Sequence, residues 1–463
     1  MNDLDPTRRP LTADAGAIAH LVLDPAPAIP ESALAMAARL LADTLAVAAG
    51  AAPLEAGRIG RETALALYGA ADPAWQARLL FDGRPASLAG AAFAAATQID
   101  NLDAHDGLNP TKGHVGCAVV PALFAFAERC PDLSGRDALA AMVIAYEVAA
   151  RAAFALHATA ADYHTSGAWN ALGVAALGCR LLGSDAETLR HALGIAEYHG
   201  PRSQMMREID NPSMLHDGSG MGALTGVSAA IMALKGFEGA PAITVEAPEA
   251  APFWADLGTR WTIEQSYVKP YPICRWAHAA IDAVAALRAA HALRPEQIAS
   301  LRVRSFAEAA RLFRGMPDTT SRAQYSLAFP VATMLLHGRV GPEHVSGAGL
   351  SDPAIAAFLP RIAVEEAERH SARFPELRRA DVTITLTDGS VLTSGDVNAR
   401  GGPDAPLSDA ELGAKIRDYA GSLLGPEGAD RLFALCTGLS APEARFADLA
   451  RLCLARPAPA GAP

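Results

Sequence analysis

Lysine is scarce in this chain: of 39 basic residues only four are lysine, Lys112, Lys235, Lys269 and Lys415. Arginine serves wherever a generic surface cation suffices, so each lysine invites a particular reason. A basic surplus is missing too. Fifty acidic against 39 basic residues leave a formal charge of −11, which argues against a nucleic-acid partner, since binding one needs clustered Lys and Arg to displace counterions. Uninterrupted apolar runs of about 20 residues, the length a bilayer demands, are lacking because Asp, Glu, Arg, Gly or Pro break the alanine-rich segments every few positions. No membrane partner is expected. Met1 to Asp14 is charged, carries Pro6 and Pro10 and has no apolar core of a secretory signal, so a cytoplasmic location is expected. The six cysteines, Cys117, Cys130, Cys179, Cys274, Cys436 and Cys453, form no close pairs. Neither a zinc motif nor a disulfide framework is indicated, and they read as small buried apolar residues. There is no Gly-x-x-x-x-Gly-Lys-Ser/Thr, no Gly-x-Gly-x-x-Gly between strand and helix, and no Gly-x-Ser-x-Gly. Nucleotide cofactors and serine-nucleophile chemistry therefore have no support.

What is present is a large apolar inventory. With 463 residues, 51% hydrophobic and 19% charged, the chain is long enough for two or three domains at about 150 residues each and too apolar for disorder. From Ala13 to Lys235 apolar residues recur at three- and four-residue spacing, which predicts helix after helix with short Gly or Pro breaks. Expected helices cover Glu31 to Gly50, Gly57 to Tyr68, Ala86 to Asp100, Val119 to Arg129, Gly135 to Leu156, Ser166 to Leu182 and Asp185 to Tyr198. After Tyr267 the pattern changes. Ile298 to Ser305 alternates with β-branched residues, and Ala380 to Val397 reads as a hairpin around Asp388-Gly389. Helical stretches at Ala277 to His291, Ser326 to His337 and Asp352 to Leu359 lie between, and Ser408 to Leu454 returns to helix. The expectation is a mainly α protein: a helical domain of residues 13–266 and 401–455 built from both ends of the chain, an inserted α+β lid of 267–400, and a disordered tail of 456–463.

The densest polar cluster runs from Asp100 through Asp103, His105 and Asp106 to Lys112 and His114. Groups of different pKa on a Gly/Pro-rich loop between apolar helices are what a proton-transfer site needs. The bland alternative is a solvated loop with an Asp cap, but such a loop has no reason to favour His and Lys in so lysine-poor a chain. Asp103, His105, Asp106 and His114 are also metal-capable side chains. Their spacing matches no metal-ligand motif, so no metal is expected. His164 sits in a polar break before a helix. The Gly-rich segment Arg207 to Gly222, which contains Ser213 and His216, leads into a helix whose backbone N–H groups suit a carboxylate. In Lys269 to His278 two prolines stiffen a turn carrying Lys269, Tyr271, Arg275 and His278; Lys269 and Arg275 are suited to gripping carboxylates.

In this order the motifs resemble the MmgE/PrpD family, whose members include 2-methylcitrate dehydratase, cis-aconitate decarboxylase and iminodisuccinate epimerase. The likeness spans Leu41 to Gly50, the Asp/His loop with Val119 to Leu123 after it, Tyr146-Glu147-Val148, Lys269 to Arg275, Gln324 to Leu327 and Gly401 to Asp409. It implies a large helical domain with a smaller lid, a cofactor-free homodimer, and a small di- or tricarboxylate substrate. It also implies that Asp103, His114, His164 and His278 are catalytic or touch the substrate. Two departures stand out. Lyase members show Asp-Asp-Thr where this chain has His105-Asp106-Gly107, and they carry a lysine shortly before Leu-His-x-Gly, where this chain reads Pro212-Ser213-Met214. Lys112, two residues before His114, is the expected source of that ammonium from another loop. In a dehydratase, His114 or His164 would be the base and Asp103 its orienter or the acid. Lys112, Lys269 and Arg275 would hold carboxylates, and His278 would enter with the lid. A 2-methylcitrate dehydratase-like hydro-lyase is the first expectation, with epimerisation, decarboxylation and a silent binding scaffold behind it.

Overall fold

The computed structural model describes residues 12–456. Most of Met1 to Asp14 and the Pro/Ala/Gly tail beyond Arg456 lie outside the described residues. Ten helices fill the first half: α1 (Ala13–Leu23), α2 (Glu31–Ala51), α3 (Glu55–Leu67), α4 (Leu88–Asp100), α5 (Gly116–Ala127), α6 (Gly135–Thr159), α7 (Gly167–Leu181), α8 (Ala186–His199), α9 (Met205–Asp210) and α10 (Ser219–Leu234). Side-chain caps start several of them: Ser87, Ser134 and Asp185 accept the backbone N–H groups of Gly90, Asp137 and Thr188.

The low aromatic content has a packing counterpart. Alanine and glycine let the helix backbones meet closely: a methyl built on Gly173 of α7 would lie 2.6 Å from the Ala145 carbonyl of α6, and one on Gly226 of α10 would lie 2.5 Å from the Ala171 carbonyl of α7. Contacts this short tolerate no larger side chain. The helix Asp409–Thr437, capped by Ser408 and Glu411 and kinked at Gly425-Pro426, lies along α2, so the end of the chain returns to its beginning. By length and composition α2 and α6 are apolar enough to cross a bilayer despite their interruptions, so the expected exclusion on composition alone does not hold. Both helices are buried in the protein interior.

Between Tyr267 and Gly401 lies a five-stranded sheet in the order Ile362–Glu366, Ile298–Ser305, Arg379–Leu386, Val391–Thr393, with Val397–Asn398 also paired to Arg379–Leu386. The Ile298–Ser305 strand is parallel to Ile362–Glu366 and antiparallel to Arg379–Leu386. Helix His278–His291 covers the face on which Val382 and Ile384 are fully buried. The expected hairpin is present, with Gly389 at φ 85° in its turn. The strand Ile362–Glu366 was not anticipated. Among the described residues the protein is mainly α, with this five-stranded sheet and two short two-stranded pairings.

The two passages of the chain between these parts run side by side. Gly107–Leu108 pairs antiparallel with Ser266–Tyr267, and the Val268 N–H donates to the Gly401 carbonyl at 3.0 Å. Gly401 has φ 100°, and a methyl there would sit 2.0 Å from the Val268 carbonyl oxygen. Only glycine serves at that crossing.

Candidate active site

The loop between α4 and α5 is not solvated. Asn101, Asp103, His105, Asp106 and His114 are all buried, and the scarce lysines explain how the loop is held. Lys269 Nζ donates to the Asp103 carbonyl at 3.0 Å and to Asp103 Oδ1. Lys415 Nζ, from the returning C-terminal helix, donates to the Ala104 carbonyl at 2.7 Å and to Asp43 Oδ1 at 2.5 Å. An ammonium on a thin four-carbon stem can serve a carbonyl and a carboxylate at once where a planar guanidinium would not fit. Asp103 takes a left-handed backbone, φ 49°, as do Lys112 at 55° and His216 at 47°. Strained non-glycine residues of this kind concentrate at functional sites.

His114 Nδ1 lies 2.7 Å from the Asp106 carbonyl oxygen. A carbonyl can only accept, so Nδ1 carries the proton and Nε2 presents a lone pair. That Nε2 is 3.9 Å from Asp217 Oδ2. Burial pushes the His114 imidazole down to about 4, opposed by the Asp217 carboxylate; at neutral pH it is an unprotonated base. Burial raises Asp103 to about 6 in spite of Lys269. Its Oδ2 is buried without a hydrogen-bond partner. Asp106 accepts from Tyr146 Oη at 3.1 Å and from Thr44 Oγ1 at 3.4 Å, and burial, with Asp43 nearby, raises it to about 7. Asp217 Oδ1 in turn accepts from the N–H and hydroxyl of Ser166, at 3.0 and 2.5 Å.

Asp103, Lys112, His114 and Arg275 come together on the wall of one cavity of about 30 Å³, with Tyr163, Asp217, Tyr267, Cys274, Tyr325 and Arg378. That volume has room for water molecules. Among the described residues, neither Lys112, Arg275 nor Arg378 has a carboxylate within 4.0 Å. Arg275 donates only to the carbonyls of Ala399 and Arg400, at 2.8 and 2.6 Å, and lies over the Tyr267 ring at 4.2 Å.

Other residues singled out in the sequence lie elsewhere. His164 is buried with Nδ1 on the Asp162 carbonyl at 2.8 Å, and it is its neighbour Tyr163 that lines the cavity. His278 donates from Nε2 to the Ile273 carbonyl at 2.9 Å and packs on Tyr271, ring to ring at 5.2 Å, away from the cavity wall. Tyr271 Oη is on Asp282 at 2.9 Å. Ser213 is tied to Glu208 through both its N–H and its hydroxyl, at 2.6 and 2.7 Å. His216 is buried 3.5 Å from Ser321 Oγ and 5.2 Å, ring to ring, from Tyr325. His105 stands 4.6 Å from His114, ring to ring, with no hydrogen bond to either nitrogen and Nε2 3.7 Å from Asp100 Oδ1. Cys117, which sequence left without a partner, lies 3.0 Å from Ser219 Oγ.

Asp103, His105 and His114 offer metal-capable atoms within 4.8 Å of one another, as do Asp100, His105 and Cys117. The first set shares its carboxylate with Lys269, so a cation is already built against it. Sequence reasoning missed Asp217, beside the named His216, and Arg378, which in the run Arg378-Arg379 carries no distinguishing signal. Tyr325 was visible only as part of a motif.

A mainly α scaffold thus brings a buried imidazole, a buried carboxyl and several cations onto the wall of one cavity. The chain belongs to the MmgE/PrpD family, a family of enzymes: residues 17–250 match the MmgE/PrpD N-terminal domain and residues 271–439 the MmgE/PrpD C-terminal domain. It is similar to the cis-aconitate decarboxylase of Homo sapiens, 27% identical over 371 residues that cover 75% of this chain and 76% of that one. It is similar also to cis-aconitate decarboxylase of Mus musculus, 26% identical over 358 residues and 72% of each chain.

Proposed function

We propose that the protein is a lyase that acts on a small polycarboxylate by moving a proton at the carbon next to a carboxylate, as a 2-methylcitrate dehydratase-like hydro-lyase. The observation that carries the reading is the pair of buried guanidinium groups, Arg275 and Arg378, that form no ion pair on the wall that also holds His114 and Asp103. A buried unpaired cation is costly, and an anionic ligand supplies the missing charge.

In the dehydration, His114 Nε2 takes the proton from the carbon next to a carboxylate. The electron pair of that C–H bond becomes an enediolate-like species held by Lys112 and Arg275. As the pair forms the carbon–carbon double bond, the hydroxide on the adjacent carbon leaves with the proton of the Asp103 carboxyl. The products are alkene and water, and the proton on His114 returns to Asp103 through solvent before the next turnover. Lys269 fixes Asp103. His164 and His278 act from behind the wall, as supports of Tyr163 and of the Lys269 to Arg275 turn. His105, Asp106 and His216 pack behind the reacting groups.

Decarboxylation is the second reading, favoured by the two similar decarboxylases. There the carbon–carboxylate bond breaks, CO₂ leaves, and a proton is delivered to carbon by the same acid–base pair. NMR in D₂O with 2-methylcitrate, citrate, cis-aconitate, malate and iminodisuccinate separates the readings. Loss or addition of water is expected. Release of CO₂ replaces this by decarboxylation, deuterium uptake with inversion alone by epimerisation, and inertness toward all five acids opposes the lyase reading.

A further inference from the structure

Arg378 immediately precedes the strand Arg379–Leu386 and is buried, 3% exposed. Its backbone is fixed: its N–H donates to Asn398 Oδ1 at 3.2 Å and its carbonyl accepts from the Ala399 N–H at 3.0 Å. Its guanidinium donates to the Pro375 carbonyl and, at 3.4 Å, to that of Asn109 on the α4–α5 loop, and lies over the Phe374 ring at 4.8 Å, while Nε is buried with no hydrogen-bond partner. The next residue, Arg379, behaves as surface arginines do and pairs with Asp396 at 3.1 Å. Arg275 repeats the pattern of Arg378: it is buried, its Nε is unpartnered, and it donates to the same 399–400 stretch that fixes the Arg378 backbone. Two guanidinium groups are thus oriented from one short segment onto one cavity, and neither finds a carboxylate. The ammonium expected near Ser213 is absent, and Ser213 itself is occupied by Glu208.

We propose that Arg378 is a specificity-determining residue that grips one carboxylate of the substrate from the sheet-bearing segment. The assignment rests on the polycarboxylate reading above. A bidentate fork on a carboxylate uses donors that the carbonyls here leave free. Because the same guanidinium reaches Asn109 on the helical side, the grip forms only when the two parts of the protein are closed on each other.

The test is titration calorimetry of the full-length protein with unreactive acids: tricarballylate, and glutarate and methylsuccinate, which each lack one of its carboxylates. Arg378→Gln is expected to weaken tricarballylate at least tenfold while changing one of the two diacids less than twofold, since that diacid lacks the carboxylate Arg378 holds. Arg378→Lys, which keeps the charge but not the fork, is expected to fall between and carries the test alone where the Gln variant does not fold. Weakening all three acids equally, or none, with an unchanged melting temperature overturns the assignment and leaves the polycarboxylate reading standing. A wild-type protein that binds none of the three overturns both.

Discussion

His114 and Asp103 are poised for opposite jobs by the same burial. The imidazole is held down to about 4 and the carboxyl up to about 6, so base and acid forms coexist between those values. For the dehydration, kcat/KM is expected to rise with pH through about 4 and to fall through about 6. Asp103→Asn should remove the falling limb and lower kcat by roughly 10²–10⁴-fold. Asp217 is a positioning residue. Its carboxylate supports the protonated imidazole 3.9 Å away, so Asp217→Asn should move the rising limb to lower pH, a shift that mere loss of packing would not give. Asp106 allows a stability test. Its folded pKa, about 7, lies above its unfolded value, so the fold binds the extra proton and this group's contribution is lost as pH rises from about 4 through about 7. Melting of Asp106→Asn against wild type should therefore shift in favour of the variant over that interval. Asp103 and His114 were legible because several titratable types crowd one short loop. Asp217 and Arg378 were not, because an aspartate beside a glycine turn and one arginine of a pair look like ordinary surface residues until the fold buries them.

The helices were legible as elements, and their ends were set by contacts that sequence does not display. The spacing places the start of α5 at Val119, but the helix begins at Gly116, where a methyl would come within 2.2 Å of Asp106 Oδ1 and 2.4 Å of Tyr146 Oη. Gly116→Ala is expected to cost about 1–3 kcal/mol by overpacking, read as a lower urea midpoint, with loss of turnover as Asp106 is displaced from beneath His114. The strand Ile362–Glu366 escaped notice because it is an edge strand with mostly exposed or half-buried side chains, so its alternation is weak. Ile298–Ser305 and Arg379–Leu386 each bury several apolar side chains, Ile298, Leu301 and Val303 on one and Ala380, Val382 and Ile384 on the other, and so were legible.

At the scale of the molecule, both ends of the chain contribute to one interior and the site lies where the sheet-bearing segment meets the helices. Composition foretold the amount of core and the change of pattern after Tyr267. It did not show that the Asp/His loop, two lysines more than a hundred residues apart from each other and an arginine at position 378 would converge, since such convergence is a property of topology. The paired crossings at Gly107–Leu108 with Ser266–Tyr267 and at Val268 with Gly401 join the two passages of the chain beside Tyr267, which lines the cavity. Amide hydrogen exchange at these residues is expected to slow when tricarballylate binds.

The placement of the lysines also makes the protein its own reporter for amine-directed chemistry. Lys269 and Lys415 are buried in ion pairs, Lys112 is half-buried on the cavity wall, and Lys235 is exposed. An acylating reagent should therefore mark Lys235 at once, mark half-buried Lys112 more slowly and ignore the two bracing lysines while the fold persists, so the ratio of the first two labels becomes a gauge of whether an acid occupies the cavity.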